Sequence, residues 1–326
     1  MSKVLVTGGC GLIGDQICSS FLAKGYEVVA VDRKQSNYNL NKARFTFCQA
    51  SPVEKVAYAD IMERYHFDIV IHLACTADND LDSIITDSAI KENDKCNEFI
   101  YQLALAHEVK QFILISTTQV YQIPKFREPL HEDDFLKPVT NYAKLKMASE
   151  QRLSSEIGRR PDMTVAIFRI APIYTKEFCA NLEAKITDPK DKTKFIYQSG
   201  EYSFHMCCLH NLVDFLLTFV QMAFENHNLT GVYNVADKHP IMASEIIEYM
   251  KKYHRLGIVL QKNTPNANLK MIQNMIGSKE MKTNYRFLDL TKIMNNTMFD
   301  TTKAAKLCSF KWNIHNLGDK DKNKIK

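Results

Sequence analysis

From Lys3 to about Arg169, short apolar runs alternate with segments whose apolar positions recur at helical spacing. Residues 4–6, 28–31, 45–47, 69–73, 112–115 and 165–169 are apolar and rich in Val, Ile and Phe, which predicts strands. Helical periodicity begins near Leu12, Val53, Asn93 and Tyr142. Strands and helices alternating in this way predict a doubly wound α/β fold, a parallel sheet with helices on both faces. Past Ala171 the rhythm loosens. Residues 212–224 form the longest apolar stretch, but it contains Asp214 and is too short to cross a bilayer, so it reads as a buried helix. The polar stretch 261–285 reads as an insertion or a long loop. The basic tail 320–326 has too little apolar surface to offset the entropy of ordering. No internal repeat is present.

Gly9-x-Gly11-x-x-Gly14 follows the first strand and opens a helix with apolar Leu12, Ile13, Ile17, Phe21 and Leu22. That is the strand–turn–helix setting in which such a turn holds a dinucleotide pyrophosphate. Gly9 permits the tight turn, Gly11 lets backbone approach the anion, and Gly14 lets helix pack closely on strand. The free N–H groups at the helix start then face the phosphates. The second strand ends in Asp32, 18 residues after Gly14. A carboxylate there accepts hydrogen bonds from a ribose diol and repels a 2′-phosphate, which favours NAD. Arg33 keeps NADP as the lesser alternative, because a guanidinium pairs with phosphate; as a solvated loop charge it does nothing.

Three Tyr-x-x-x-Lys spacings occur: Tyr38…Lys42, Tyr121…Lys125 and Tyr142…Lys146. Pro124 interrupts the second, and the first sits among Asn residues. Only the third opens a plausible helix, through Leu145, Met147, Leu153 and Ile157. Positions i and i+4 are neighbours on a helix, so Lys146 is expected to lower the phenol of Tyr142 from ~10 towards neutrality for acid–base work. The strand at 112–115 runs into three hydroxyls, Ser116, Thr117 and Thr118, at the sheet edge where ligands sit.

With these segments in place, the chain resembles an extended short-chain dehydrogenase/reductase, the superfamily of nucleotide-sugar epimerases, dehydratases and reductases. The resemblance spans roughly residues 3–315. It rests on the glycine turn, the run 68–74, Ser116 to Tyr121, Glu132, Pro138, Tyr142, Lys146 and Glu150, then residues 231–236, 300–304 and 307–312. It implies that Thr117, Tyr142 and Lys146 are catalytic, with Lys146 also holding the nicotinamide ribose. It implies a cofactor set of Gly8, Gly11, Leu12, Ile13, Gly14, Asp32, Arg33, Leu73, Ala74, Tyr142 and Lys146. Asn93 matches a supporting helix Asn. A homodimer packed through residues 93–107 and 142–157 is implied as well, with Phe99, Ile100 and Leu103 serving the core or that seam. The chain would divide into a dinucleotide-binding domain, residues 1–170 plus 204–238, and a smaller substrate lobe, residues 171–203 plus 239–326.

Departures from the family pattern bear on the substrate. Ser51 stands where an adenine-contacting Asp is usual, Pro172 where an Asn is usual, and Phe204 where an Arg grips a diphosphate. The implied substrate set is therefore Thr117, Thr118, Pro172, His205 and Arg286, with His205 or Arg286 replacing the missing guanidinium. Dehydratases carry Asp-Glu after the catalytic Thr; here Thr118 and Gln119 stand there. The reading is an NAD-dependent enzyme acting at a secondary alcohol, C4, of a nucleotide sugar. Epimerisation leads, and net dehydrogenation or keto-sugar reduction is the alternative. A sensor that binds dinucleotide without catalysis is the other class; the intact Thr117, Tyr142 and Lys146 argue against it.

Composition narrows the class further. A hydrophobic share of 45% with 24% charged residues is ordinary for a globular enzyme. The net charge of +5 is partly in the tail, and no basic patch is interleaved with aromatics, so neither nucleic acid nor membrane is an expected partner. Nine cysteines make no C-x-x-C and no metal-like spacing, which fits reduced thiols in the cytoplasm. The first residues lead directly into a strand, so no signal peptide is expected.

Overall fold

The structure is a computed structural model and describes residues 2–35, 42–75, 86–122, 128–155, 157, 162–188, 191–225, 228–262 and 297–317. Arg286, the bulk of the 261–285 stretch and the tail 320–326 lie outside the described residues, as do Tyr38 and Lys125 of the two discarded Tyr–Lys spacings.

Strand β1 (Lys3–Thr7) buries Val4, Leu5 and Val6 completely. Such two-sided burial is expected of a strand in the middle of a parallel sheet. Around it are β2 (Glu27–Asp32), β3 (Phe45–Gln49), β4 (Ile69–His72), β5 (Gln111–Thr117), β6 (Thr164–Ile170) and β11 (Gly231–Val235). Their order is β11-β6-β5-β4-β1-β2-β3. β1 pairs in parallel with β2 on one side, Val4 opposite Val28, and with β4 on the other, Val4 opposite Ile69. The chain thus winds outward through β2 and β3, then restarts on the far side of β1. The crevice at the carboxyl ends of β1 and β4, where strand order reverses, is the expected ligand position in such a sheet.

Among the described residues, four helices run between the strands from β1 to β6: α1 (Leu12–Ala23), α2 (Lys55–Tyr65), α3 (Asp87–Ala106) and α4 (Asn141–Ser154). α1 buries Ile17, Cys18, Phe21 and Leu22 and stops at Gly25, whose φ of 93° suits glycine. α3 begins at Asp87, six residues before Asn93, where periodicity first shows. Its opening residues Asp87 and Ser88 are exposed, so no apolar stripe marks that turn. On one sheet face Leu5, Val29, Val70 and Phe112 pack with Tyr58, Met62, Ile100 and Tyr101 of α2 and α3. The long apolar stretch is α6 (Leu209–Phe224). Its Phe215 and Phe219 lie 4.8 and 5.0 Å from Phe168 of β6, centroid to centroid. No helix among the described residues is long and apolar enough to cross a membrane.

Two compact units result. The first is residues 1–120, 138–169 and 213–233; the second is 121–137, 170–212 and 234–326. Residues 121–137, 170, 204–212 and 234–238 fall in the second unit, where the sequence reading puts them with the sheet. Side-chain hubs explain it. Asn234 accepts the Tyr121 hydroxyl at 2.6 Å and donates to the Leu130 carbonyl at 3.0 Å. Asp237 accepts the Cys208 N–H at 2.7 Å. Among its described residues the second unit also holds three two-stranded sheets: β7 (Ile173–Tyr174) with β10 (Cys207–Cys208), β9 (Ser203–Phe204) with β12 (Ile241–Met242), and β8 (Lys194–Tyr197) with β13 (Val259–Lys262). Helices α5 (Ala180–Lys185) and α7 (Ala243–Tyr253) belong to it and pack around Tyr174, Leu182, Ile246 and Trp312.

Two glycines of the first turn have different reasons to be glycine, and substitution separates them. A Cβ on Gly14 would lie 2.2 Å from the Gly8 carbonyl oxygen and 2.7 Å from Gly9 Cα, backbone that cannot rotate aside. On Gly11 the nearest atom would be 3.6 Å away. Gly14→Ala should therefore destabilise the fold by about 1–3 kcal/mol, and Gly11→Ala by less than about 1 kcal/mol, through a poorer helix cap. Urea unfolding checks this; equal midpoints for the two variants would contradict the packing role of Gly14.

Candidate active site

The glycine turn is pinned to the neighbouring strand before it meets any ligand. Gly8, at φ 71°, donates its N–H to the Val31 carbonyl at 2.8 Å, and Gly9 donates to the same oxygen at 3.3 Å. Asp32 closes the arrangement: Oδ2 accepts the Cys10 N–H at 3.1 Å and Oδ1 accepts the Lys34 N–H at 3.3 Å. α1 starts at Gly11 with no side-chain cap, so its first-turn N–H groups point outward. Leu12 in that turn stays 44% exposed, although it is apolar. A backbone cradle too tight for a Cβ at Gly14, an uncapped helix start and a half-buried carboxylate at the next strand end fit a dinucleotide. Gly8, Gly11, Leu12, Ile13 and Gly14 would meet the pyrophosphate, and Asp32 the ribose. Arg33 is exposed beyond Asp32, and its carbonyl accepts the Gln49 amide at 3.1 Å. Ser51 donates its N–H to the Glu54 carboxylate, starting the turn into α2.

β5 delivers Ser116 and Thr117 at its end, and a 3₁₀ turn, Thr118–Val120, carries Thr118 and Gln119 onward. Thr117 Oγ1 accepts the Gln119 N–H at 3.2 Å. α4 is capped by Thr140, whose hydroxyl oxygen accepts the Ala143 N–H at 3.1 Å and whose proton goes to Gln119 Oε1 at 3.2 Å. The helix start that bears Tyr142 is thereby tied to the turn that bears Thr117 and Thr118. One turn along α4, Lys146 is only 2% exposed. Its Nζ donates to the Leu73 carbonyl at 3.0 Å and lies 5.8 Å from the Tyr142 ring centroid. Leu73 and Ala74, both half-buried, follow β4 at the carboxyl edge.

Burial governs the proton affinities here. It pushes the Tyr142 phenol well above its ordinary value, and the nearby Cys75 adds to the rise. It lowers Lys146, against opposing effects of Cys75 and Glu150. The expected lowering of the phenol by Lys146 is therefore not a property of the protein alone. Removal of water from the phenolate outweighs one ammonium that spends a proton on Leu73.

One turn further along α4, Glu150 is buried and fully engaged. It accepts the Ser116 hydroxyl, and Arg169 Nε and Nη2 at 2.9 and 2.8 Å. This buried pair fixes the end of β5 against β6 and α4; nothing in apolar periodicity marks it. Asn93 is buried, donates to Ser149 at 3.3 Å and accepts the Cys75 thiol at 3.5 Å.

Within the second unit, Pro172 leads into β7, and its carbonyl accepts the Cys207 N–H at 3.0 Å. His205 departs from its expected role as a cationic grip. Its Nε2 donates to the Asp237 carbonyl at 2.7 Å, and its Nδ1 accepts the Phe299 N–H at 2.9 Å. Burial lowers its pKa to about 4, so the ring is neutral and both nitrogens are committed to backbone. Phe204 is buried, with Lys185 Nζ 5.4 Å from its ring centroid. Asp237 takes the Tyr174 hydroxyl at 2.6 Å and the Asn211 amide at 2.8 Å, and burial raises it to about 6. Sequence reading missed this hub, since a single Asp in a strand–turn segment carries no local signal.

Comparison with known proteins agrees with this geometry. The family model described as "NAD dependent epimerase/dehydratase family" matches residues 4–236. A UDP-glucose 4-epimerase of Bacillus subtilis (strain 168) is 28% identical over 192 residues, covering 56% of this chain and 55% of that protein. The spore coat polysaccharide biosynthesis protein SpsK of the same organism is 30% identical over 181 residues, covering 53% and 54%. The chain thus spans about half the length of the curated relatives it matches. Among solved structures, the UDP-Glc/GlcNAc 4-epimerase of Campylobacter jejuni superposes with a TM-score of 0.74 over 97% of both chains, at 18% identity. The UDP-glucuronic acid 4-epimerase of Bacillus cereus, solved with UDP-glucuronic acid and NAD, gives 0.71 over 97% and 96%, at 17% identity. At such identities the likeness is one of fold. By the family match over residues 4–236, joined to the glycine turn and the Tyr142–Lys146 helix, this chain belongs to the NAD dependent epimerase/dehydratase family.

Proposed function

We propose that this chain is an NAD-dependent nucleotide-sugar 4-epimerase. The observation that carries the proposal is Tyr142 and Lys146 on one face of α4, joined through the Thr140–Gln119 bonds to the turn of Thr117. A nicotinamide bound beside them would supply reversible hydride acceptance and a positive charge that opposes the burial of the phenolate. Tyr142 Oη moves the proton between itself and the sugar C4 oxygen. Thr117 still has its hydroxyl proton to donate to that oxygen, because its bond to Gln119 uses it only as acceptor. Lys146 holds the nicotinamide ribose, and Asp32 receives the adenosine ribose hydroxyls. Thr118 and Gln119 have no carboxylate to expel water, which speaks against dehydration. Relatives named for UDP-glucose, UDP-arabinose and UDP-glucuronic acid make these sugars the first substrates to try.

A net C4 dehydrogenase or keto-sugar reductase is the second reading. The commitment of both His205 nitrogens favours it, since C4 inversion requires the sugar to turn while its nucleotide stays anchored. A homodimer through α3 and α4 and a cytoplasmic location belong to the same proposal. The nine cysteines, none of them in a disulfide, support the location. The outer edge of the helix pair offers Arg152 with Asp94 and Glu98, while Phe99 and Leu103 pack inward on the core.

The two readings part on cofactor turnover. An epimerase regenerates its NAD in each cycle, so the protein as purified should convert excess UDP-sugar to the C4 epimer with no added nicotinamide or electron acceptor. Tyr142→Phe should slow this by ~10²–10⁴-fold. NADH accumulating to one equivalent without the epimer would replace the epimerase with the dehydrogenase; near-normal turnover by Tyr142→Phe would remove Tyr142 from the chemistry.

Cofactor choice is tested separately by titration. Asp32→Ala should weaken NAD more than NADP, because it removes a diol acceptor and a repulsion at once. Tighter NADP than NAD in the unaltered protein would mean that Arg33 governs the pocket.

A further inference from the structure

Beneath Lys146 runs a chain of buried polar groups that neither proton transfer nor ribose binding uses. Thr7, His72, Asn97 and Ser149 are each at most 9% exposed, set among the apolar side chains of β1, β4, α3 and α4. Groups of this kind are retained only when each finds a partner. Here the direction of every bond follows from one end. Ser149 Oγ is 2.9 Å from the Leu145 carbonyl, which can only accept, so the single Ser149 proton is spent there. Ser149 must then accept from Asn97, whose Nδ2 stands at 2.6 Å. That turns Asn97 Oδ1 towards His72 Nε2 at 2.6 Å, so Nε2 carries the imidazole proton. Nδ1 is left as acceptor for the Thr7 hydroxyl at 2.7 Å, and Thr7 Oγ1 accepts the Ala74 N–H at 3.2 Å.

Both termini of this chain lie one residue from the ends of the Lys146–Leu73 bond. Leu145 precedes Lys146 on α4. Ala74 follows Leu73, whose carbonyl takes the ammonium at 3.0 Å. The bonds therefore close a ring: Lys146 Nζ, Leu73, Ala74, Thr7, His72, Asn97, Ser149, Leu145 and back to Lys146. We infer that His72, Asn97 and Ser149 are positioning residues, and that this ring sets where the Lys146 ammonium stands for the ribose and for Tyr142. The inference rests on the proposed roles of Lys146 and Tyr142. A protonated His72 would place a second donor against the Thr7 hydroxyl and open the ring. Burial, with a smaller contribution from the Lys146 charge, lowers His72 to about 4 against the support of Asn97, so the ring holds at neutral pH.

Ser149→Ala removes the oxygen on which the chain turns, Ser149→Thr keeps it, and His72→Gln keeps only the donor towards Asn97. Each variant is purified, its melting temperature recorded, and its affinity for NAD and for ADP measured by calorimetry. Lys146 serves only the nicotinamide side, so ADP reports on the glycine turn and Asp32 and not on Lys146. The expected result is NAD affinity reduced about tenfold, the scale of one lost hydrogen bond to a charged group, in Ser149→Ala and His72→Gln. ADP affinity should be unchanged in both, and Ser149→Thr should restore NAD binding. Folded Ser149→Ala or His72→Gln with unaltered NAD affinity would overturn the inference, and so would parallel loss of NAD and ADP, which marks general loosening. Where Ser149→Ala fails to fold, His72→Gln decides by the same comparison. A protein that binds NAD with this pattern but turns over no nucleotide sugar leaves the ring standing and removes only the epimerase.

Discussion

An ammonium carried into a site with 2% exposure demands an answer from its surroundings, and the first unit is arranged around that of Lys146. Removing such a charge from water costs several kcal/mol unless its protons are taken up. The Leu73 carbonyl takes one, at the point where β4 ends beside the glycine turn. That contact needs the sheet to reverse between β1 and β4, since only there does a strand end lie open next to the turn. It also needs α4 to arrive at a fixed height. The Thr140 cap sets its start, and the buried Glu150–Arg169 pair holds its third turn. Tyr142 takes its place as a consequence, one turn ahead of Lys146.

The same constraint separates what was readable in the sequence from what was not. Strand cores such as Val4–Val6 and the helix from Leu12 declare themselves by apolar period. The reversal of the sheet follows from strand–helix alternation together with the glycine turn. The segments that carry Thr117, Tyr142 and Lys146 were legible because a hydroxyl run at a strand end and a Tyr–Lys step at a helix start are local patterns. The bonds among Thr7, His72, Asn97 and Ser149 join residues 25 to 65 positions apart in sequence, and no local pattern reports such distances. The proton affinity of Tyr142 was misjudged for a related reason. Sequence spacing places an ammonium nearby, but only the folded chain shows that burial dominates it.

The second unit illustrates the limit from the other side. Phe204 and Pro172 are visible departures in the sequence, and His205 looks like a ready substitute for a lost guanidinium. In the fold His205 instead stitches Asp237 to Phe299, neutral and stacked at 5.7 Å on the Phe299 ring. Asp237 does similar work for Tyr174, Cys208 and Asn211. These bonds hold short two-stranded sheets and loops in place. His205 is therefore not available as a cation.

The central claim is that the glycine turn, Asp32 and Lys146 together hold a nicotinamide dinucleotide. The most direct measurement is to denature the purified protein and identify by mass spectrometry what it releases, then to refill stripped protein by titration. The account predicts release of NAD or NADH at up to one per chain, and refilling by NAD at a single site that Gly14→Ala or Lys146→Met disrupts. Protein that releases no nicotinamide dinucleotide and takes up none at millimolar concentration would contradict it.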